Sequence, residues 1–319
     1  MYTNQSNISL PLAVFLATDD YDHEDNVISA TTLLKPVRQI VLTQRLNKDE
    51  VAVDISNLVS SRMGTAIHTA IEKAWLNPSK ALADLGYPPK LIERIKVNPD
   101  TVNKGDIPVY MEKRSYKQVG KYKVSGKFDF VAEGKVQDFK STSVFTYLNQ
   151  SNADKYALQG SIYRWLNPDI ITQDTMTIHY VFTDWNKMES ARNEDYPSNR
   201  VLSQQYTLLS LEATDRYVKS IISNIDRYKN VPESELPYCA DEDLWRKPTV
   251  WKYYKNPNKL ERSTKNFETQ SDALIQLVKD GSVGVVKEVK GQVVACRYCS
   301  AFSLCTQKDK LIAEGELVL

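Results

Sequence analysis

SGKFDFVAEGKVQDFK, residues 125–140, is the stretch on which the fold turns. Apolar and polar residues alternate on either side of Glu133–Gly134, the period of strands with one buried face. Glu133–Gly134 suits a tight turn between two such strands. Asp138 and Lys140 are two apart and therefore share one face of the second strand. Asp129 lies on the first strand, where a hairpin would bring its carboxylate within reach of an ion shared with Asp138. Mg²⁺ takes oxygen ligands, usually one or two carboxylates with water and substrate phosphate. Such an ion polarises a phosphate and lowers the pKa of a bound water. An ammonium at Lys140 could orient that water and neutralise developing charge. The acid-x-Lys spacing also occurs at Glu133–Lys135 and Glu288–Lys290. Spacing alone therefore suits a solvated strand face with a charge pair equally well.

Working outward, the period of two covers residues 107–117, 121–132 and 135–140. Before it, residues 56–76 carry Val59, Met63, Ile67, Ala70, Ile71 and Ala74 at helical spacing. After it come a helical pattern over 153–166, a strand over 176–183 and a long amphipathic helix over 207–229. Helices interleaved with strands predict an α/β fold. Pro237, Pro248 and Pro257 change the texture from about Pro232 onward. The expected division is a core over 1–231 and a cysteine-bearing extension over 232–319, packed on it, with a short helix near 269–279.

The composition, 42% hydrophobic and 25% charged in 319 residues, is that of a globular protein. The apolar run Leu10–Ala17 is too short to span a bilayer. No basic stretch precedes an apolar one at the start, so no secretory signal is read and a cytoplasmic protein is expected, with no membrane partner. For a phage-encoded chain that would be the host cytoplasm. The net charge of +1 rules out a strongly basic chain, but two local patches stand out. Lys113, Arg114, Lys117, Lys121, Lys123 and Lys127 lie together without an acid. Residues 246–265 hold seven basic residues and one acid, Glu261. Patches on a neutral chain suit a nucleic acid bound in a defined groove.

Three further segments bear on the acidic hairpin. In GTAIHTAIEKAW, residues 64–75, His68 and Glu72 are four apart on one helix side, and Gly64 leaves room beside the imidazole. An imidazole suits Mn²⁺ or a metal-bound water, and equally an ordinary polar flank. In YALQGSIYRW, residues 156–165, Gln159 and Tyr163 share a face and could bond phosphate, sugar or base, but the segment alone reads more readily as an ordinary amphipathic helix with Tyr163 half-buried. Glu112 could approach the same cluster, as could Glu72.

The ordered set His68, Gly126–Asp129, Asp138–Lys140 and Gln159–Tyr163 resembles the RecB-like branch of the PD-(D/E)xK nucleases. That branch runs from a helical His through G-x-x-D and D-x-K to Q-x-x-x-Y. The resemblance implies a restriction-endonuclease-like mixed sheet flanked by helices. It implies that His68, Asp129 and Asp138 bind Mg²⁺ or Mn²⁺, that Lys140 serves the attacking water, and that Gln159 and Tyr163 face DNA. The activity implied is metal-dependent hydrolysis of DNA, by a phage-type exonuclease or end-processing enzyme. A structure-specific or CRISPR-adaptation-like endonuclease of the same fold is the alternative, and a non-catalytic iron–sulfur DNA-binding module a third. No G-x-x-x-x-G-K-[ST] stands in the sequence, so unwinding would need a partner. A recombination or single-strand-annealing protein could be another partner.

The cysteines are Cys239, Cys296, Cys299 and Cys305, the last three within CRYCSAFSLC. Clustered cysteines in a reducing compartment suit a metal better than disulfides. Four thiolates can hold a [4Fe–4S] cluster or Zn²⁺. The two-then-five spacing of the triplet is similar to the iron–sulfur staple of AddB-type nucleases. There the lone cysteine precedes the nuclease motifs, whereas Cys239 follows them. That departure looks more like phage and prophage nucleases with a C-terminal cysteine-bearing extension. Between the cysteines lie Trp245, Lys247, Trp251 and Lys252, which could stack bases and follow phosphates of DNA ends or single strands. The same aromatics could instead pack the lobe that holds the cysteines.

Overall fold

Two tight turns organise the sheet. The computed structural model describes residues 1–18, 24, 27–47 and 52–319. It divides into one unit of Met1–Leu34 with Asn47–Ser223 and another of Lys35–Leu46 with Asn224–Leu319. In the first unit, strands β1 (Val27–Ser29), β2 (Ile95–Val97), β3 (Ile107–Val119), β4 (Tyr122–Ala132), β5 (Lys135–Thr142), β6 (Thr175–Phe182) and β7 (Val201–Thr207) form one mixed sheet. Its order is β2-β3-β4-β5-β6-β7, with β1 on β4. β3 and β4 are antiparallel and meet at Val119–Tyr122, across Gly120 at φ +58°. β4 and β5 meet at Ala132–Lys135, across Glu133 and Gly134 at φ +51° and +76°. Two successive positive φ angles define the turn that matches strand twist, and Gly and short polar residues tolerate them best.

β3 lines one edge of β4 throughout, and two strands share the other edge. β1 pairs in parallel with Lys123–Ser125, and β5 pairs antiparallel with Phe130–Ala132. Between those ladders, residues 126–129 of β4 pair with neither β1 nor β5. Parallel β5–β6 and antiparallel β6–β7 pairing complete the sheet. Val124, Phe128, Val136, Met176, Ile178, Tyr180 and Phe182 are buried in its core.

Helix α1 (Val59–Leu76) contacts β5, and α2 (Ala153–Leu166) contacts β4. The apolar stripe expected of α1 is not deeply buried: Val59, Met63 and Ala74 are exposed, and Ile67 and Ile71 half-buried. Gly64, His68 and Glu72 are also half-buried, so a partly polar stripe is among the least exposed on the helix. α2 is the buried helix, with Ile162 and Trp165 in the core. The long helix, α3 (Leu211–Tyr228), starts later than its apolar pattern, because Val201–Thr207 is an edge strand. That strand alternates exposed and half-buried residues and buries no side chain fully, which leaves a weak apolar signal.

In the second unit, β8 (Val250–Tyr254) is the centre of an antiparallel sheet between β9 (Lys265–Phe267) and β10 (Val285–Val289). Helices α4 (Gln270–Lys279) and α5 (Thr306–Ala313) accompany it. The segment Lys35–Leu46 belongs here, and the division falls after Ser223 rather than near Pro232. Val41 and Leu42, from the helix Val37–Arg45, bury with Leu236 and Ala301. Arg38, on the same helix, is 1% exposed. Its guanidinium donates to the Leu236 carbonyl at 3.0 Å and to the Cys305 sulfur at 3.3 Å, and pairs with Glu233. A buried guanidinium needs that full set of acceptors. Among the described residues no helix is long and apolar enough to cross a membrane.

Candidate metal and nucleic-acid site

Register sets the acidic residues in a row. The β3–β4 ladder pairs Met111 with Phe130 and Lys113 with Phe128, which places Glu112 opposite Asp129. The β4–β5 ladder pairs Phe130 with Gln137, and one further step places Asp129 opposite Asp138. Residues directly opposite project to one face. Glu112, Asp129 and Asp138 therefore line up across three adjacent strands, beside the gap in the β4 edge. Glu112 itself has φ +49°. A left-handed glutamate in mid-strand costs on the order of 1–3 kcal/mol and re-aims its side chain.

Helix α1 adds His68. Its Nδ1 lies 3.3 Å from Asp129 Oδ2, and its Nε2 donates to the Phe139 carbonyl at 2.8 Å. Asp129 Oδ2 also accepts from the Phe139 backbone at 3.2 Å. Among the described residues, one group of metal-binding side chains has its ligand atoms within 4.8 Å of one another: His68, Glu112 and Asp129. Asp138, expected in that trio, is 1% exposed and turned to Lys140, whose Nζ lies 2.6 Å from Oδ2. That oxygen has no well-directed hydrogen bond. Glu112, expected only as an accessory, stands in the trio, and its carboxylate pairs with Lys127.

Burial and charge set the protonation preferences. Burial opposes charge on His68, but its hydrogen bond and attraction to Asp129 raise its pKa overall. Burial raises Glu112, against the pull of Lys127. Burial also raises Asp138, with Lys140 opposing. Lys140 pays a desolvation penalty that the Asp138 and Asp129 carboxylates more than offset, so its pKa rises.

These groups line a cleft of about 510 Å³. Its wall also carries Arg62, Arg114, Lys127, Thr65 and Glu72. Gln159 and Tyr163 line it too, though they are 7% and 4% exposed and bonded to each other at 2.8 Å. They back the cleft rather than project into it. A Cβ on Gly126 would stand 2.6 Å from Leu166 Cδ1 and 3.1 Å from Tyr163 Cδ1. The glycine thus lets α2 approach β4. Gly64 faces Ser141 Oγ, 3.3 Å from where its Cβ would be, rather than making room for the imidazole.

In the second unit all four cysteines are free and at least partly buried. Burial pushes Cys239 up to about 12 and Cys296 up to about 11. Cys239 and Cys296 belong to the cluster around Leu244 and Val293, while Cys299 and Cys305 pack near Val41 and Leu42. Trp251 and Lys252 are half-buried on β8, Lys247 is exposed, and Trp245 is exposed at φ +50°.

No family model matches this chain, and no curated protein does. Among solved structures, one named SSO0001 is similar over 70% of this chain and 86% of its own, at 18% identity and a TM-score of 0.37. A phage related exonuclease from Haemophilus somnus 129PT is similar over 40% of this chain and 63% of its own, at 17% identity and a TM-score of 0.26. Likenesses this slight leave the chemistry to the chain's own residues.

Proposed function

We propose that the chain is a metal-dependent DNA nuclease with a restriction-endonuclease-like core. The observation that carries this is the row Glu112–Asp129–Asp138, flanked by His68 and Lys140, in an open cleft with cationic walls. The donor set suits Mg²⁺ or Mn²⁺: carboxylate oxygens with one imidazole. His68, Glu112 and Asp129 would hold the ion, and Asp138, whose buried Oδ2 lacks a directed hydrogen bond, would complete the set. Such an ion supplies a polarised phosphate and an acidified water. Lys140 neutralises negative charge developing on the phosphate, and Asp138 keeps its ammonium charged and fixed. The Phe139 carbonyl fixes the imidazole ring so that Nδ1 faces Asp129. Arg114 and Lys127 offer charge to flanking phosphates.

For the cysteines we propose a [4Fe–4S] cluster. The two-then-five spacing of Cys296, Cys299 and Cys305 supports the cluster over a zinc site. Buried thiols with raised pKa values also need a strong positive centre to ionise. Incubation with Mg²⁺ or Mn²⁺ and labelled linear and circular DNA tests the nuclease reading. Cleavage that persists in EDTA would overturn it.

A further inference from the structure

The aromatics of the second unit differ widely in exposure. Tyr253 and Tyr254, on β8, are buried at 0% and 7%. Trp245 and Tyr298 are 49% and 72% exposed, with ring centroids 6.1 Å apart and planes at 39°. Neither ring is packed away, and each keeps open surface beside the other.

The backbone holds them there under strain. A tryptophan at φ +50° is a genuine outlier, costing on the order of 1–3 kcal/mol. Everything around it is tied down. Leu244, buried at 4%, accepts from Val294 N and Ala295 N at 3.1 and 3.0 Å. Arg246 bonds Asp241 at 2.6 Å, Glu316 at 2.8 Å and the Gly291 carbonyl at 3.1 Å. Tyr298 lies between Cys296 and Cys299, in a turn closed by Cys299 N on the Cys296 carbonyl at 3.2 Å. Arg297 Nε donates to the Val318 carbonyl at 2.7 Å. Two segments distant in sequence thus present two rings to solvent from rigid supports.

We infer that Trp245 and Tyr298 form a stacking platform for an unpaired nucleobase of single-stranded DNA. The inference rests on the reading of the chain as a protein that acts on DNA, and adds which form of it the second unit engages. A paired base keeps its faces within the duplex stack, so a ring platform selects unpaired bases. Stacking needs no particular base, because each has a π-face, so the platform is sequence-tolerant. Tyr298 lies in the turn between two cysteines, so whatever the cysteines bind also fixes one ring.

The test uses the full chain in EDTA, with fluorescence anisotropy on a labelled oligothymidylate and on a blunt duplex of equal length. Trp245→Ala and Tyr298→Ala should each weaken single-strand binding about 5- to 100-fold, the range for losing one stacked base. Duplex binding should stay within twofold. Tyr298→Phe should bind like wild type. Trp245→Gly should lose single-strand affinity without lowering the melting temperature, because glycine adopts positive φ freely. Single-strand affinity unchanged in both alanine variants overturns the inference and leaves the nuclease reading standing. A Trp245→Gly chain that melts well below wild type, with Tyr298→Ala binding normally, shows the rings to be packing and also overturns it. A wild type that binds no single-stranded DNA in EDTA overturns the inference, while cleavage with Mg²⁺ or Mn²⁺ decides the nuclease reading separately.

Discussion

The acidic row and the cysteine set gather their functional side chains by opposite means. Glu112, Asp129 and Asp138 sit on three neighbouring strands, where ladder register fixes each residue against the next. Cys296 and Cys299 bound a 3₁₀ turn, Cys305 follows another, and Cys239 lies in an irregular stretch. The row is a rigid array of like charges, held together by His68, Lys127 and Lys140. The cysteines are divided between two apolar clusters. Charges gathered on a sheet need a counterion to be stable there. Register fixes the row residue by residue, whereas turns and apolar packing bring the cysteines near one another.

The largest effect that would break this contrast lies in the row. Asp129→Ala or Lys140→Ala should reduce metal-dependent cleavage by about 10³-fold or more, as removal of an essential group does. Under the proposed function Lys140 serves the transition state, so Lys140→Ala should retain most DNA affinity. Cleavage rates and binding isotherms on the same preparations measure both. A Lys140→Ala chain as active as wild type would remove the amine from the chemistry.

The next effect belongs to the cysteines. Protein prepared without oxygen should be brown and contain about four irons per chain. Cys239→Ser should lose most of that iron and loosen the second unit, because Cys239 closes the longest loop to the triplet. Metal analysis with proteolysis of the second unit reads both. Stoichiometric zinc without iron would replace the cluster with a zinc site, and no metal at all with an unchanged unit would remove the staple.

A smaller effect is set by protons. Metal binding requires His68 Nδ1 and the Glu112 and Asp138 carboxylates to be free of protons. The pKa of each is raised, so protons stay on to higher pH than on ordinary side chains. Mn²⁺ affinity should therefore fall as the pH is lowered from about 8 to about 5.5, with proton release on binding at the lower end. Titration calorimetry in buffers of different ionisation heat measures that release. Affinity flat across this range would mean that the three groups do not compete with protons for the metal.

The row was legible in outline from the sequence, and its membership was open to simple counting. The turn at Glu133–Gly134 is visible and sets Asp129 opposite Asp138. Gly120 marks a second turn, and counting back from it sets Glu112 opposite Asp129. The acid-x-Lys motif alone draws attention to Asp138, which leaves Glu112 looking like an accessory until the strands are counted across both turns. The left-handed φ of Glu112 had no such signal, because only the strained backbone reveals it. The orientation of Asp138 toward Lys140 is a matter of burial, which a strand pattern does not report. β7 was missed because an edge strand of alternating exposed residues looks like the polar lead into a helix. The three-stranded sheet of the second unit was missed because prolines and charges interrupt its short strands. The segment Lys35–Leu46 joins that unit through contacts far apart in sequence, which no local pattern carries.

The smallest effect tests whether the row already has its counterion. Lys127 pairs with Glu112, a member of the closest metal-binding group. The two residues lie on adjacent strands, and Lys127 shares the face of Asp129 by spacing. An ammonium there stabilises clustered carboxylates and repels an incoming dication. With Lys127 43% exposed, water and salt weaken both terms. Lys127→Met keeps the aliphatic stem and removes the charge. Its Mn²⁺ affinity should rise roughly 3- to 10-fold, as expected for one screened charge near the ion. The gain should shrink as salt is added. Affinity for DNA should fall slightly in the same variant, because a cleft cation is lost. If Lys127 instead holds the Glu112 carboxylate in its binding orientation, Lys127→Met weakens Mn²⁺ binding and the effect is insensitive to salt. The sign of the change, measured at two ionic strengths, separates a resident counterion from an orienting contact.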